Sequence, residues 1–154
     1  DVGFTGTVLE KKHCKYIPFY KDELAVITPD TPEYRILKEQ NRDDIDWIKR
    51  KPLILREEGS GTRKEAEKQL KNAGISMEDL DIANQETIKK SVKQGMGITV
   101  LSRLAAEDED GLLIFPIPGA DEGRDINLVY NKNYQMTRSA DRFIRIVKEV
   151  YDIE

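Results

Sequence analysis

Residues 52–63 read PLILREEGSGTR, and the rest of the chain can be interpreted outward from this segment. Leu53–Leu55 is a continuous apolar run bounded by charged residues, which is typical of a strand buried on both faces. Gly59 and Gly61 follow as a turn, and the pattern then predicts a helix from about Arg63 to Asn72. The segment therefore joins a buried strand to a helix through a glycine turn.

The same alternation continues downstream of this helix. The sequence predicts a strand at Asp79–Ala83, a helix at Glu86–Gln94 and a third strand at Ile98–Ser102. The apolar residues Ile88, Val92 and Met96 are predicted to face inward from this helix. Strands that alternate with helices form parallel sheets with right-handed crossovers. We therefore predict an α/β lobe whose parallel sheet carries helices on both faces.

The flanking segments supply further elements. Five more strands are predicted, at Val2–Thr5, Tyr16–Tyr20, Leu24–Thr28, Leu112–Ile117 and Ile126–Tyr130. Helical character is predicted for Tyr34–Arg50, although its apolar pattern is mixed. The chain closes with an amphipathic helix, because its apolar residues recur at helical spacing. These residues are Ala140, Phe143, Ile144, Val147, Val150 and Tyr151.

Composition excludes several classes of protein. The net charge is −4, and the 25 basic residues are interspersed with 29 acidic ones. Non-specific nucleic-acid binding needs a concentrated positive field, so the chain is not expected to bind DNA by itself. The single cysteine, Cys14, excludes an internal disulfide and favours a reducing cytoplasm. No apolar run approaches the ~20 residues that cross a bilayer, so no membrane contact is predicted.

The turn at Gly59–Arg63 is the first candidate binding site. It lies between the carboxyl end of a buried strand and the amino end of a helix, where unpaired N–H groups and the helix dipole attract an anion. The hydroxyls of Ser60 and Thr62 add hydrogen-bond donors. The alternative is a plain glycine turn in which Thr62 caps the helix, since Thr62 and Glu65 have capping-box spacing. A Walker loop is excluded because Gly61 is not followed by Lys-Ser or Lys-Thr.

A second turn of the same kind is predicted at Asn84-Gln85-Glu86-Thr87, again after a strand and before a helix. In a parallel sheet such turns lie along one edge, where open α/β sheets bind ligands. Two turns from neighbouring strands would therefore converge on one crevice. Taken singly, Asn84 and Thr87 are also consistent with helix caps, and Gln85 and Glu86 with a solvated first turn.

Catalytic and metal chemistry find no support in the sequence. His13 lies beside Cys14, but a zinc site needs three or four ligands and the chain has no other histidine or cysteine. The same shortage excludes a Ser/His/Asp or Cys/His set. Glu57 and Glu58 are adjacent at a strand end and point to opposite sides, so they do not form an acid–base pair. We predict no catalytic residue, no metal and no cofactor.

Several segments together resemble the effector-binding domain of LysR-type transcriptional regulators. They are Pro52–Arg63, Glu86-Thr87-Ile88-Lys89 with Val92, Gly95-Met96-Gly97-Ile98 with Leu101-Ser102, Asp22-Glu23-Leu24, and Val2-Gly3-Phe4-Thr5-Gly6. The resemblance implies a type II periplasmic-binding-protein-like α/β fold with two lobes. The lobes would be joined by two crossover strands, near Leu24–Thr28 and Ile126–Tyr130.

The resemblance also implies where the effector binds. It assigns 1–25 and 131–154 to a first lobe and 26–130 to a second lobe, with the effector between them. The family's winged helix-turn-helix, linker helix and opening strands have no counterpart here, so the first lobe is expected to be incomplete. Nine residues are predicted to bind effector: Thr5, Gly6, Gly59, Ser60, Gly61, Thr62, Gln85, Glu86 and Thr87.

The predicted function is that of a ligand-sensing regulatory domain in a bacterial LysR-type transcription factor. It would bind a small anionic effector, contact DNA only through an absent N-terminal domain, and form a homodimer or homotetramer in the full-length cytoplasmic protein. The alternative is an extracytoplasmic solute-binding protein of a transporter, which shares the fold. Asp1 in first position suits either a fragment or a processed secreted chain. A small enzyme on this fold is a third option that lacks a catalytic set.

Overall fold

The structure, a computed structural model, describes residues 2–40, 44–84, 87–120 and 123–154. Its elements, in chain order, are β1 (Val2–Thr5), β2 (Cys14–Asp22), β3 (Leu24–Pro29), α1 (Pro32–Glu39), β4 (Leu53–Leu55), α2 (Gly61–Asn72), β5 (Ile82–Asn84), α3 (Ile88–Lys93), β6 (Ile98–Ser102), α4 (Leu104–Glu107), β7 (Leu112–Pro116), β8 (Arg124–Asn131) and α5 (Arg138–Val150). Two compact units result. Unit 1 comprises Asp1–Asp22 with Gly123–Glu154, and unit 2 comprises Glu23–Glu122.

Unit 2 is built on a five-stranded sheet in the order β5-β4-β6-β3-β7. Strand β4 is parallel to both β5 and β6, as predicted. Strand β3, however, is antiparallel to β6 and to β7, so the sheet is mixed and not wholly parallel. The sequence contains no basis for the direction of β3, because that strand lies outside the alternation of strands and crossover helices, which sets direction only for β4, β5 and β6.

The core of unit 2 confirms that helices cover both faces of this sheet. Alternate residues of β4 face opposite ways: Leu53 and Leu55 pack with α2, whereas Ile54 packs with α3. On the first face α2 contributes Ala66 and Leu70, and on the second α3 contributes Ile88 and Val92. Both faces of β4 are therefore buried, as a continuous apolar run predicts.

Unit 1 contains a three-stranded antiparallel sheet in the order β1-β8-β2, with α5 packed on it. Its core consists of Ile17, Leu128, Ile144 and Val147. Strand β8 pairs along its length with β1 and β2, so it belongs to unit 1, whereas the sequence assigned residues 126–130 to the second lobe.

Two helical predictions need correction. The predicted helix at Tyr34–Arg50 is instead α1 followed by a 3-10 helix at Asp46–Arg50, with residues 41–43 outside the described part of the chain. Met96, predicted to face inward from α3, lies beyond the end of that helix and is exposed. Among the described residues, no helix has the length and apolar character to cross a membrane.

Candidate functional site

The sheet of unit 2 has a topological switch point at β4. The chain leaves β4 toward α2 on one face, whereas it leaves β5 toward α3 and β6 toward α4 on the other face. Connections that run to opposite faces of a sheet leave a crevice at the carboxyl ends of its strands, and open α/β sheets bind ligands there. The topology therefore favours the edge predicted from the sequence.

The two predicted turns leave neighbouring strands side by side. Leu55, the last residue of β4, pairs with Asn84, the last residue of β5, in a parallel register. The turns that follow both strands must therefore begin at the same edge. Gln85 and Glu86 of the second turn lie outside the described residues. Thr87 is exposed and immediately precedes α3, and its carbonyl accepts from Ser91.

The first turn is shaped by Gly59, whose φ of 87° lies in the left-handed region that favours glycine. The backbone N–H of Ser60 donates to the carbonyl of Glu57 at 3.2 Å, which closes the turn. Ser60 is extended and half-buried, and Gly61 opens α2. The amino end of a twelve-residue helix thus begins at the carboxyl edge of the sheet.

The capping-box assignment at Thr62 was wrong. The carbonyl of Ser60 accepts from the N–H of Lys64 at 3.1 Å, so Ser60 is the N-cap and Thr62 lies inside the first turn of α2. Glu65, the other half of the predicted box, instead accepts from Gln69 at 3.0 Å. Thr62 is therefore not the residue that caps α2. Ser60, Gly61 and Thr62 nevertheless lie together at the helix amino end, as the binding hypothesis requires.

Arg63 fixes the position of this turn, a role that the sequence analysis did not predict. Its guanidinium donates to the carbonyl of Arg56 at 3.1 Å and to the carboxylate of Glu67 at 2.8 Å. The side chain is only 13% exposed. The i,i+4 spacing of Arg63 and Glu67 is visible in the sequence, but the bond to Arg56 depends on the fold of the intervening turn. Arg63 therefore ties the end of β4 to the start of α2.

A concave cavity of about 1080 Å³ adjoins these turns within unit 2. Its lining combines cations, carboxylates and an apolar floor. The residues are Arg56, Glu57, Thr87, Ile88, Lys89, Lys90, Lys93, Leu101, Ala105 and Glu109. Three of them, Arg56, Glu57 and Thr87, come from the strand-end turns. A cavity of this size can hold a small organic molecule.

Two ion-pair groups dominate the charge of the cavity. Glu109 accepts from Lys89 at 2.6 Å and from Lys93 at 2.7 Å, and these hydrogen bonds lower the pKa of its carboxyl from 4.5 to about 2. Arg56 donates twice to Glu57, which with the Glu57 backbone N–H lowers the pKa of that carboxyl to about 2. Both carboxylates are therefore ionised at neutral pH.

Replacing Lys89 with methionine should raise the pKa of Glu109 toward 4.5, because the hydrogen bond from Lys89 is the largest cause of its depression. A carboxyl whose folded-state pKa lies below its unfolded value adds stability above the unfolded value. In the wild type this contribution is therefore lost as the pH falls from 4.5 toward 2. Carbon-13 NMR titration of the Glu109 carboxyl measures the shift. An unchanged pKa in the variant would show that Lys89 does not hold Glu109.

Thr5 and Gly6, the remaining predicted site residues, belong to unit 1. Thr5 ends β1, and its hydroxyl both donates to the carbonyl of Thr7 at 3.0 Å and accepts from the N–H of Thr7 at 3.1 Å. Gly6 follows, and a Cβ added there would lie 3.4 Å from the guanidinium of Arg124. The two residues thus form a local turn against a basic side chain of the same unit.

The chain is similar in sequence to a known family of proteins. The profile described as LysR substrate binding domain matches residues 1–152. The chain is 30% identical over 94% of its length to the HTH-type transcriptional activator CmpR of Synechocystis sp., and covers 48% of it. It is also 30% identical over 97% of its length to the HTH-type transcriptional regulator MJ0300 of Methanocaldococcus jannaschii, covering 52% of it. The chain thus spans about half the length of these relatives.

Solved structures show the same fold at lower identity. The regulatory domain of Synechocystis CcmR, in complex with 2-PG, superposes with a TM-score of 0.79 at 24% identity. The match covers 98% of this chain and 73% of that one. The effector binding domain of QuiR, in complex with shikimate, gives a TM-score of 0.77 at 17% identity and covers 99% of this chain and 72% of that one.

Proposed function

This chain belongs to the LysR substrate-binding domain family, and we propose that it senses a small anionic effector for a DNA-binding regulator. The predicted type II periplasmic-binding-protein-like α/β fold is confirmed by the solved structures. The family consists of transcriptional regulators and not enzymes. The comparisons give no support to a solute-binding protein of a transporter.

The proposed effector site of unit 2 is the strand-end edge formed by Gly59, Ser60, Gly61, Thr62 and Thr87, together with Gln85 and Glu86. The observation that carries it is the parallel register of β4 and β5, because it starts both turns at one edge beside Arg56. The N–H groups that open α2 favour a negative ligand group there. In unit 1 we propose Thr5 and Gly6 as further effector contacts.

An anionic effector also fits the charges around this edge. The cavity beside it is lined by four basic and two acidic side chains. Shikimate, named in the QuiR structure, is a carboxylate, as is the benzoate bound to a BenM effector domain of the same fold. We infer an anionic effector for this chain from the charges that line its own cavity. The ligands of the two solved structures support this inference.

In the whole regulator, we propose that effector binding shifts the domain between two states and so alters how paired subunits present their DNA-binding domains. Only different effector affinities for the two states can produce such a shift. We propose that the full-length protein is a cytoplasmic homodimer or homotetramer, in keeping with the helix-turn-helix regulators that it resembles.

Substitution of Ser60 by alanine tests the effector site. The variant should bind benzoate and shikimate at least about tenfold more weakly than the wild type, because a hydroxyl donor to a charged group is removed. Isothermal titration calorimetry at constant ionic strength measures the affinities. Ser139→Ala, which removes an exposed hydroxyl from unit 1, is the matched control. Equal affinities for wild type and Ser60→Ala would show that the Ser60 hydroxyl does not contact the ligand and that Ser60 serves only the turn.

A further inference from the structure

Lys89 and Lys93 together bind one carboxylate, and we call them the lysine pair. They lie one turn apart on α3, and their ammonium groups reach different oxygens of Glu109, Oε1 at 2.6 Å and Oε2 at 2.7 Å. Glu109 itself lies 20 and 16 residues away from them, beyond α4. Short charge-assisted hydrogen bonds to both oxygens of one carboxylate are the geometry with which proteins bind carboxylate and phosphate groups.

The lysine pair lies beside an apolar surface of the same cavity. The same cavity is lined by Ile88 and Leu101, which are buried, and by the half-buried Ala105. Binding sites for small organic molecules combine such apolar walls with a few polar groups that fix orientation. The cavity therefore offers an organic anion both a charged contact and a surface for its apolar part.

Glu109 is placed so that an external anion could replace it. Its side chain is about one-third exposed, as is that of Lys93. Exchanging one carboxylate for another keeps both charge-assisted hydrogen bonds, so the loss to the protein is small. Exposed ion pairs of this kind contribute little to stability, which leaves them open to competition.

We propose that Lys89 and Lys93 form an anion-binding site whose internal occupant is the Glu109 carboxylate. Its external ligand is a small organic anion that presents a carboxylate or phosphate group to the lysines and an apolar body to Ile88, Leu101 and Ala105. Glu109 thereby competes with the ligand and sets the concentration at which the site fills. The lysine pair lines the cavity whose charges also support the proposed effector site. The strand-end effector contacts are other side chains, so the two proposals can be tested separately.

Substitution of Glu109 by glutamine tests the competition directly. The variant should bind benzoate and inorganic phosphate about fivefold more tightly, because the lysine pair is released from its internal carboxylate. The double variant Lys89→Gln/Lys93→Gln should bind both probes at least about fivefold more weakly. Nitrogen-15 NMR titration at constant ionic strength gives the affinity, and shifts at the Ile88, Leu101 and Ala105 amides locate the ligand.

The double variant Lys68→Gln/Lys71→Gln is the matched control, because it removes the same two charges from α2, on the other face of the sheet. An unchanged affinity in Glu109→Gln would overturn the proposal and leave the lysine contacts as structural ion pairs. An equal loss in Lys68→Gln/Lys71→Gln and in Lys89→Gln/Lys93→Gln would also overturn it, since net charge alone would then explain the effect. Shifts at the Gly61 and Thr62 amides would report anion binding at the proposed effector site, whereas shifts at Ile88, Leu101 and Ala105 report the lysine pair, which separates the two tests.

Discussion

Replacement of Gly97 by alanine is expected to destabilise unit 2 by about 2–4 kcal/mol, a large fraction of the stability of a small domain. A Cβ at residue 97 would lie 2.5 Å from the carbonyl oxygen of Pro52 and 3.2 Å from the side chain of Ile54. Carbon atoms make favourable contacts at about 3.5–4.0 Å, so the backbone of β4 would have to shift. That carbonyl also accepts from the N–H of Ile98 at 2.9 Å, which aligns β4 with β6.

Urea unfolding followed by tryptophan fluorescence measures this loss. Trp47 is the sole tryptophan and lies in unit 2, where its ring contacts Tyr34 and Phe115. Gly95→Ala is the matched control, since Gly95 has a φ of 77° but no atom within 4 Å of an added Cβ. We expect it to cost only about 1–2 kcal/mol, as a left-handed alanine does. A loss in Gly97→Ala of no more than about 0.5 kcal/mol, as for an ordinary surface substitution, would show that the Pro52 contact is relieved at little cost.

The elements of unit 2 that the sequence predicted most closely are its mostly apolar strands. Leu53–Leu55 and Ile98–Ser102 are strands with the predicted bounds. A strand buried on both faces is mostly apolar along its length, so its limits lie close to the flanking polar residues and glycines. The direction of β3 has no such local signature, because it depends on which neighbours the strand acquires.

Apolar periodicity predicted α5 but not the depth to which each residue is buried. Ile144 and Val147 are in the core of unit 1, whereas Phe143 and Val150 of the same predicted face are 42% and 70% exposed. Helical spacing shows which residues share a side of the helix. How many of them are covered depends on the packing partners present, which periodicity does not contain.

The candidate site divides in the same way. The turns after β4 and β5 were predictable because parallel strands place their carboxyl ends at one edge. The lysine pair with Glu109, and the bond from Arg63 to the carbonyl of Arg56, join residues through the tertiary fold. Individually these side chains resemble the other charged residues of a chain that is 35% charged, so the sequence gives no signal for their pairing.

Replacement of Arg124 by methionine is the second substitution with a large expected effect, on unit 1. Arg124 contacts Asp22 through both Nε and Nη2 at 2.9 Å, where β2 ends and β8 begins. The side chains of Asp22 and Arg124 are 5% and 14% exposed. Removing one partner of a buried ion pair costs about 3–5 kcal/mol, because the other charge stays buried without its counterion.

Amide hydrogen exchange measures this loss within unit 1. In Arg124→Met, the slowest amides of β8 should exchange at least about 100-fold faster, since each 1.4 kcal/mol of lost stability is worth about tenfold. The double variant Asp22→Asn/Arg124→Met should regain part of the protection, because no isolated charge is left buried. Arg145→Met, which breaks an exposed pair with Asp141 in the same unit, should change exchange by only a few-fold. If Arg124→Met changes exchange no more than Arg145→Met does, the buried pair contributes nothing beyond a surface contact.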